Sequence, residues 1–281
     1  MTEQHPAYET LRSERSQKIL TLTLDRPHRL NALSAKLLAE LRHALTAAAT
    51  DAEISVVIIK AHGKAFTVGY DLNEEDWLIS QYPANFDGKV NLDRDRQDIL
   101  GLVDHWTQLW KFPKPIIAQV QGLCLSGGGE LLAICDLVVA GEDAQFGHPA
   151  GRDLGIPPTV FMWPMLIGMR KTRELLYTAK LIGAAEAATL GLVNKVVGNA
   201  ELDTATRELA IDVARTPQNH LTLLKQATSR FYENMGLFAS WQSGAELDAV
   251  FHQSPAYIAF FKLVKEQGMK AALDRRKQLY S

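Results

Sequence analysis

Two glycine-bearing segments hold the residue types best suited to chemistry. The first is Gly63-Lys64-Ala65-Phe66-Thr67-Val68-Gly69-Tyr70-Asp71-Leu72, and the second is Gly122-Leu123-Cys124-Leu125-Ser126-Gly127-Gly128-Gly129-Glu130-Leu131. Each reads as glycine after a strand, where a backbone N–H can face a cleft with no side chain over it. In the second, the glycines open a helix, so unpaired N–H groups gather at the positive end of its dipole. Two such donors from different strands, aimed at one point, form an oxyanion hole. Glu130, in the first turn of that helix, is a carboxylate able to move protons at the same point. Simpler readings stay open at this level. SGGGE also suits close helix–strand packing, and Glu130 also suits a charge that complements the dipole. The spacing is not that of a phosphate-cradling loop, because the GK[ST] ending is missing.

The whole chain narrows the chemistry further. Its 281 residues are 47% apolar and 22% charged, with a formal net charge of −2. That balance belongs to a globular protein and excludes disorder as the main state. It also provides no global basic field for nucleic acid. Cys124 and Cys135 stand in apolar surroundings and read as buried free thiols of a reducing compartment. The eight histidines are scattered, and no Cys/His cluster has metal-ligand spacing. The polar N-terminal stretch does not read as a secretory signal, and the apolar run from Leu131 to Ala140 is interrupted by Asp136. The expectation is a cytoplasmic protein with no membrane span.

The elements that must position the two segments alternate. Residues 19–24 (ILTLTL) read as a strand that Pro27 ends. Asn31 to Ala49 reads as an amphipathic helix, with Ser34 as N-cap and leucines 37, 38, 41 and 45 on one side. Ser55 to Lys60, Ile116 to Val120 and Leu137 to Ala140 read as strands, and Ile99 to Lys111 as a helix. Residues 73–96 lack a period and read as a loop or broken helix at a substrate entrance. After Val160 the pattern is nearly all helical, with breaks at Gly183, Gly191 and Gly198 and a short strand at Asn194 to Val197. This βα alternation predicts a layered α/β domain over 1–199 and a helical region over 200–281.

Together, the two segments and the CDLVVAGEDAQFGHP stretch after them resemble the crotonase superfamily, the enoyl-CoA hydratases, isomerases and relatives. The RPHRLNAL stretch at Arg26–Leu33 is similar to the family's early RPxxxNAL segment. FPKPIIA at Phe112–Ala118 and the Ala184–Ala187 and Gly191–Asn194 stretches match further family segments. The resemblance covers roughly residues 19–275. It implies an α/β spiral of ββα repeats with a helical C-terminal trimerisation region, assembled as a homotrimer or a dimer of trimers. It implies an acyl-CoA substrate, no nucleic acid or membrane partner, no metal, and no separate cofactor, coenzyme A being part of the substrate. The thioester oxygen would become an enolate held by the N–H groups of Tyr70 and Gly127. His28 and Arg29 match the segment that meets the adenine and phosphate end. Ala65, Phe66, Asp71 and Leu72 match the lining of the cofactor's path, with Gly69 and Gly128 beside the two donors.

The chain departs from the family in three places. Tyr70 stands where a small residue is usual. Glu130 matches the first hydratase glutamate, but Ala150 occupies the place of the second, and Asp153 is a nearby carboxylate that could serve as an auxiliary. The bulky stretch Pro158 to Trp163 replaces small residues, and could wall the acyl group or form helix core. His148 reads as a loop hydrogen-bonding residue or a pocket group, and Trp77, Trp106 and Trp110 as packing aromatics first. Arg275, Arg276 and Lys277 form a basic run that the family often brings near the cofactor phosphates. The resemblance therefore implies an enoyl-CoA hydratase/isomerase-type enzyme with Glu130 as general acid/base. Two alternatives are a hydrolase or lyase that opens a C–C bond of a cyclic β-keto acyl-CoA, and a non-catalytic acyl-CoA-binding relative.

Overall fold

A computed structural model of the chain describes residues 8–72, 89–156 and 162–280. Its strands are β1 (Leu11–Ser16), β2 (Ile19–Leu24), β3 (Val56–Ala61), β4 (Ala65–Thr67), β5 (Ile116–Val120), β6 (Leu123–Leu125), β7 (Leu137–Gly141), β8 (Gln145–Gly147), β9 (Ile182–Gly183) and β10 (Lys195–Val197). The larger sheet runs β1-β2-β3-β5-β7-β10 and the smaller β4-β6-β8-β9. Only the pairs β1–β2 and β8–β9 are antiparallel. Three times in succession a strand of the large sheet is followed, within a few residues, by a strand of the small one: β3 then β4, β5 then β6, β7 then β8. That repetition is the ββα spiral that the family resemblance implied. It stacks the turns after β4 and β6 side by side.

Burial explains which segments became central strands. VVIIKA and IIAQV are covered on both faces, as parallel strands must be. Helix α1 (Ala35–Thr50) begins at Ser34, whose hydroxyl accepts the Leu37 N–H at 3.1 Å. Its buried side is the expected row of Leu37, Leu38, Leu41 and Leu45. It starts four residues later than the periodicity suggested, because Asn31 takes φ +54° and Leu33 bridges to Tyr70 instead. The Asn31 amide donates to the carbonyls of His62 and Ala65 at 2.8 Å each, tying the early segment to the start of β4.

Helix α2 (Leu92–Trp110) begins seven residues before the expected Ile99. The Asn91 side chain accepts the Arg94 N–H, and Asp93 and Asp95 sit in the first turn. Residues 73–88, which the sequence reads as part of an entrance loop, lie outside the described residues, as does Trp77. Helix α3 (Gly127–Ala133) follows β6 directly. Then come α4 (Trp163–Leu166), α5 (Met169–Thr178), α6 (Ala184–Thr189), α7 (Leu202–Ala214), α8 (Gln218–Asn234), α9 (Leu237–Phe251) and α10 (Pro255–Tyr280), the last broken at Gly268 with φ +84°. Leu202, Ala205 and Ala210 of α7 cover the outer face of the large sheet at Ile19, Val56, Ile58, Ile117 and Val139. Helix α9 instead packs on α2, joining Trp241, Ala245 and Ala249 to Ile99 and Val103. No helix of the described residues is long and apolar enough to cross a membrane.

Candidate active site

The two segments meet where β4 and β6 end. Gly69 adopts φ +93°, and a side-chain carbon there would lie 2.8 Å from Ser126 Cβ and 3.0 Å from Gly127 N. The backbones can approach this closely only because residue 69 is glycine. Tyr70 is fixed from both sides: Gly69 O accepts the Leu33 N–H at 2.8 Å, and the Asp71 N–H reaches Leu33 O at 3.1 Å. Ser126 takes the unusual φ of +50°; its N–H donates to Gly147 O and its carbonyl accepts the Gly129 N–H. Gly127 then opens α3, where its N–H has no intrahelical acceptor. Gly128 is buried beneath Thr67 and Cys124.

Tyr70 supplies more than backbone. Its ring packs against Gly127, and its hydroxyl donates to Glu130 Oε2. The Trp106 indole N–H donates in turn to the Tyr70 hydroxyl at 2.8 Å. Glu130 is 1% exposed, and its Oε1 has no hydrogen-bond partner among the described residues. Burial pushes the Glu130 pKa up to about 8, against the lowering effect of the Tyr70 hydrogen bond. Burial and the neighbouring Glu130 together hold the Tyr70 phenol well above its ordinary range. At neutral pH Glu130 is therefore a carboxylic acid.

A cavity of about 470 Å³ opens beside this group. Tyr70, Val68 and Ser126 line it, as do His28, Arg29, Asp71 and Leu72. Glu130 is not in the lining, since the Tyr70 phenol stands over it. The Asp71 carboxylate is engaged by the buried Arg26 at 2.8 Å, which ties the cavity wall to the early segment. Ala65, Phe66 and Gly128 are buried away from the cavity, Phe66 in the main core. Ala150 lines the cavity where a second glutamate was sought. Asp153 is placed elsewhere. Arg276 grips both of its oxygens at 2.7 and 2.9 Å and also bonds to Pro149 O, while Arg152 turns to Thr178 O. Of the basic run, Arg276 thus reaches the cavity already committed to a carboxylate. His148 lines the cavity and bonds to Gly155 O at 2.9 Å; burial lowers its pKa to about 4, so its ring is neutral.

Trp110 donates to Glu233, and Met162 and Trp163 are buried in the core. Residues 157–161 of the bulky stretch lie outside the described residues.

The opposite wall comes from α9 and from His252 just after it, and composition did not point to it. Asp248 and His252 line the cavity. Asp248 Oδ1 accepts the Ile156 N–H at 2.5 Å and lies 3.5 Å from His252 Nε2. His252 Nδ1 is 2.8 Å from Asp95 Oδ2 of α2, and its ring stacks on Tyr257 at 4.2 Å. Burial opposes the charging of His252, but the adjacent Asp248 and Asp95 outweigh it and raise its pKa. The signal in the sequence was the spacing of Asp248 and His252, four apart across the end of α9.

The chain matches the enoyl-CoA hydratase/isomerase family over residues 14–280. It is 37% identical over 247 residues to EchA13 of Mycobacterium tuberculosis, a protein named for enoyl-CoA hydration, covering 83% of this chain and 76% of that one. It is 32% identical to the crotonyl-CoA hydratase of Syntrophomonas wolfei, over 96% and 97% of the two chains. Among solved structures, an enoyl-CoA hydratase/isomerase from Xanthobacter autotrophicus superposes with a TM-score of 0.86 at 31% identity, covering 98% of this chain and all of that one.

Proposed function

The chain belongs to the enoyl-CoA hydratase/isomerase family, of the crotonase superfamily, and from that premise we propose that it adds water to the double bond of a 2-enoyl-CoA thioester. The N–H groups of Tyr70 and Gly127 hold the thioester oxygen as it gains charge, each donor contributing about 3–4 kcal/mol to the transition state. Glu130, protonated at neutral pH and covered by the Tyr70 phenol, supplies the proton that reaches C2 of the enolate by way of the Tyr70 hydroxyl, and recovers it in the reverse reaction. His28 and Arg29 meet the adenine and phosphate end of coenzyme A, with Leu72 along its path.

The observation that carries this reading is the buried Glu130 carboxyl in the first turn of α3, beside two backbone turns in contact and under a phenol that faces the cavity. The test is hydration of crotonyl-CoA and longer trans-2-enoyl-CoA thioesters, followed by loss of the conjugated-thioester absorbance. Wild type turns over at least one of them, and Glu130→Gln lowers kcat by about 100-fold or more. A wild type inert across the series refutes the reading.

Ala150 favours a second reading, cleavage of a C–C bond in a cyclic β-keto acyl-CoA, in which the same oxyanion site holds the departing enolate. Cleavage of a ring-ketone thioester without crotonyl-CoA hydration would select it. Assembly as a trimer or dimer of trimers is part of the proposal. It is supported by Leu223, Leu224 and Phe231 of α8 and Met235 just after it, which are exposed in the single chain.

A further inference from the structure

Hydration needs a group to take a proton from water as well as one to protonate carbon, and Ala150 cannot do the first. The described residues place another carboxylate on the cavity. We propose that Asp248, carried by α9 from the C-terminal region, is the base that activates water, with His252 and Asp95 as positioning residues behind it.

The geometry carries this. Asp248 lines the same cavity as Tyr70, whose hydroxyl contacts Glu130. Its side chain keeps only 9% of its surface exposed, and the Ile156 N–H and His252 fix one oxygen. Asp95, wholly buried in α2, orients the far side of the His252 ring. A Cβ on Gly155 would lie 2.9 Å from Asp248 Oδ1 and 3.0 Å from His252 Nε2, so glycine at 155 leaves room for the pair.

The electrostatics agree. Burial raises the Asp248 carboxyl to about 6, with His252 and the Ile156 N–H holding it from rising further. Glu130 lies higher, at about 8, and the charge of Asp248 contributes to that elevation. Two carboxyls with separated pKa values divide into a base and an acid at neutral pH. Around Asp248 stand His252 one turn on, Asp95 from α2, Tyr70 with Glu130 behind it, and His148 and Arg276, which line the same cavity.

In the step, a water O–H bond breaks and its proton passes to Asp248. The oxygen forms a bond to C3, the C2–C3 π pair shifts toward the thioester to give the enolate, and C2 takes the Glu130 proton by way of the Tyr70 hydroxyl. Asp248 releases its proton to solvent and Glu130 regains one, so the sum is addition of one water.

This inference rests on the hydration reading, and the experiment separates the two. Wild type, Asp248→Asn and Glu130→Gln are each assayed for hydration of the best 2-enoyl-CoA from pH 5 to 9, and for deuteration at C2 of the matching saturated acyl-CoA in D2O. Wild type should give a bell-shaped kcat/KM profile, with limbs near 6 and 8. Asp248→Asn should lose about 100-fold or more in kcat with KM within about threefold, lose the acid limb in its residual activity, and still deuterate C2. Glu130→Gln should lose both reactions. Hydration by Asp248→Asn within threefold of wild type, or an acid limb that survives the substitution, overturns the inference while leaving the hydration reading in place. Loss of C2 deuteration by Asp248→Asn overturns it too, by showing that the substitution disables the site as a whole. A wild type without hydration overturns both.

Discussion

Glu130 carries the proposed proton transfer at the scale of a single residue, and its cost to folding follows from its burial. Its pKa of about 8 in the folded protein compares with a usual carboxyl value of 4.5. The folded state therefore holds a proton that the unfolded chain gives up between those pH values. By linkage the penalty is absent below about 4.5, grows as pH rises, and is complete above about 8. Glu130→Gln should accordingly stabilise the protein at pH 8, by roughly 3–5 kcal/mol, and change little at pH 4.5. Denaturant melts at the two pH values check this, and equal effects at both would contradict the assignment. Glu130 was legible from its place in the first turn after the glycines, whereas the Tyr70 N–H was named only through the family resemblance. It did not reveal the Tyr70 hydroxyl on Glu130 or its indole donor Trp106, which reads as a packing aromatic until the spiral brings α2 over α3. Asp153 shows the converse. Proximity in the chain suggested a catalytic carboxylate, but a guanidinium from α10, 123 residues away, takes both its oxygens.

Elements set the precision with which these groups meet. The turn at Gly122, between β5 and β6, sends the chain from the large sheet to the small one. Its φ is +56°, and a Cβ there would sit 2.0 Å from Lys64 O, a contact with rigid backbone. Gly122→Ala must displace the Lys64 strand entry or β6, and both lead into the turns that carry Tyr70 and Gly127. The substitution should destabilise by about 2 kcal/mol or more through strain and overpacking, and should lower kcat beyond what the lost stability explains. Equilibrium unfolding beside kinetics on the folded fraction checks it. Strands β3, β5 and β7 were legible because burial on both faces leaves a nearly continuous apolar run, and β2 because leucine and threonine alternate along it. Strands β4, β6 and β8 are three residues each and lack room for any period, so their sheet was invisible to patterning. The start of α2 was missed for a different reason: its first turn is charged, and Asp95 is buried by a histidine far along the chain.

Across the whole molecule, the C-terminal helices do more than follow the spiral. Helix α9, His252 after it and the second half of α10 bring Asp248, His252, Met269, Leu273 and Arg276 to the cavity, so the pocket is closed by residues distant from its floor. The sequence separated a core from a helical region, but pairing Asp248 with a site built at residues 69 and 127 depends on the packing of α9 on α2. That contact arises from Trp241, Ala245 and Ala249 meeting Ile99 and Val103 in a common apolar cluster. The account as a whole depends on the protein forming and stabilising a thioester enolate, whatever reaction then follows. Proton NMR of a saturated acyl-CoA in D2O, run above about pH 8 where the Glu130 carboxyl is ionised and able to take the C2 proton, follows this step alone. Wild type should replace the C2 protons with deuterium, and Glu130→Gln should leave them in place; an inert wild type, or a Glu130→Gln variant that exchanges at the wild-type rate, would contradict the central claim.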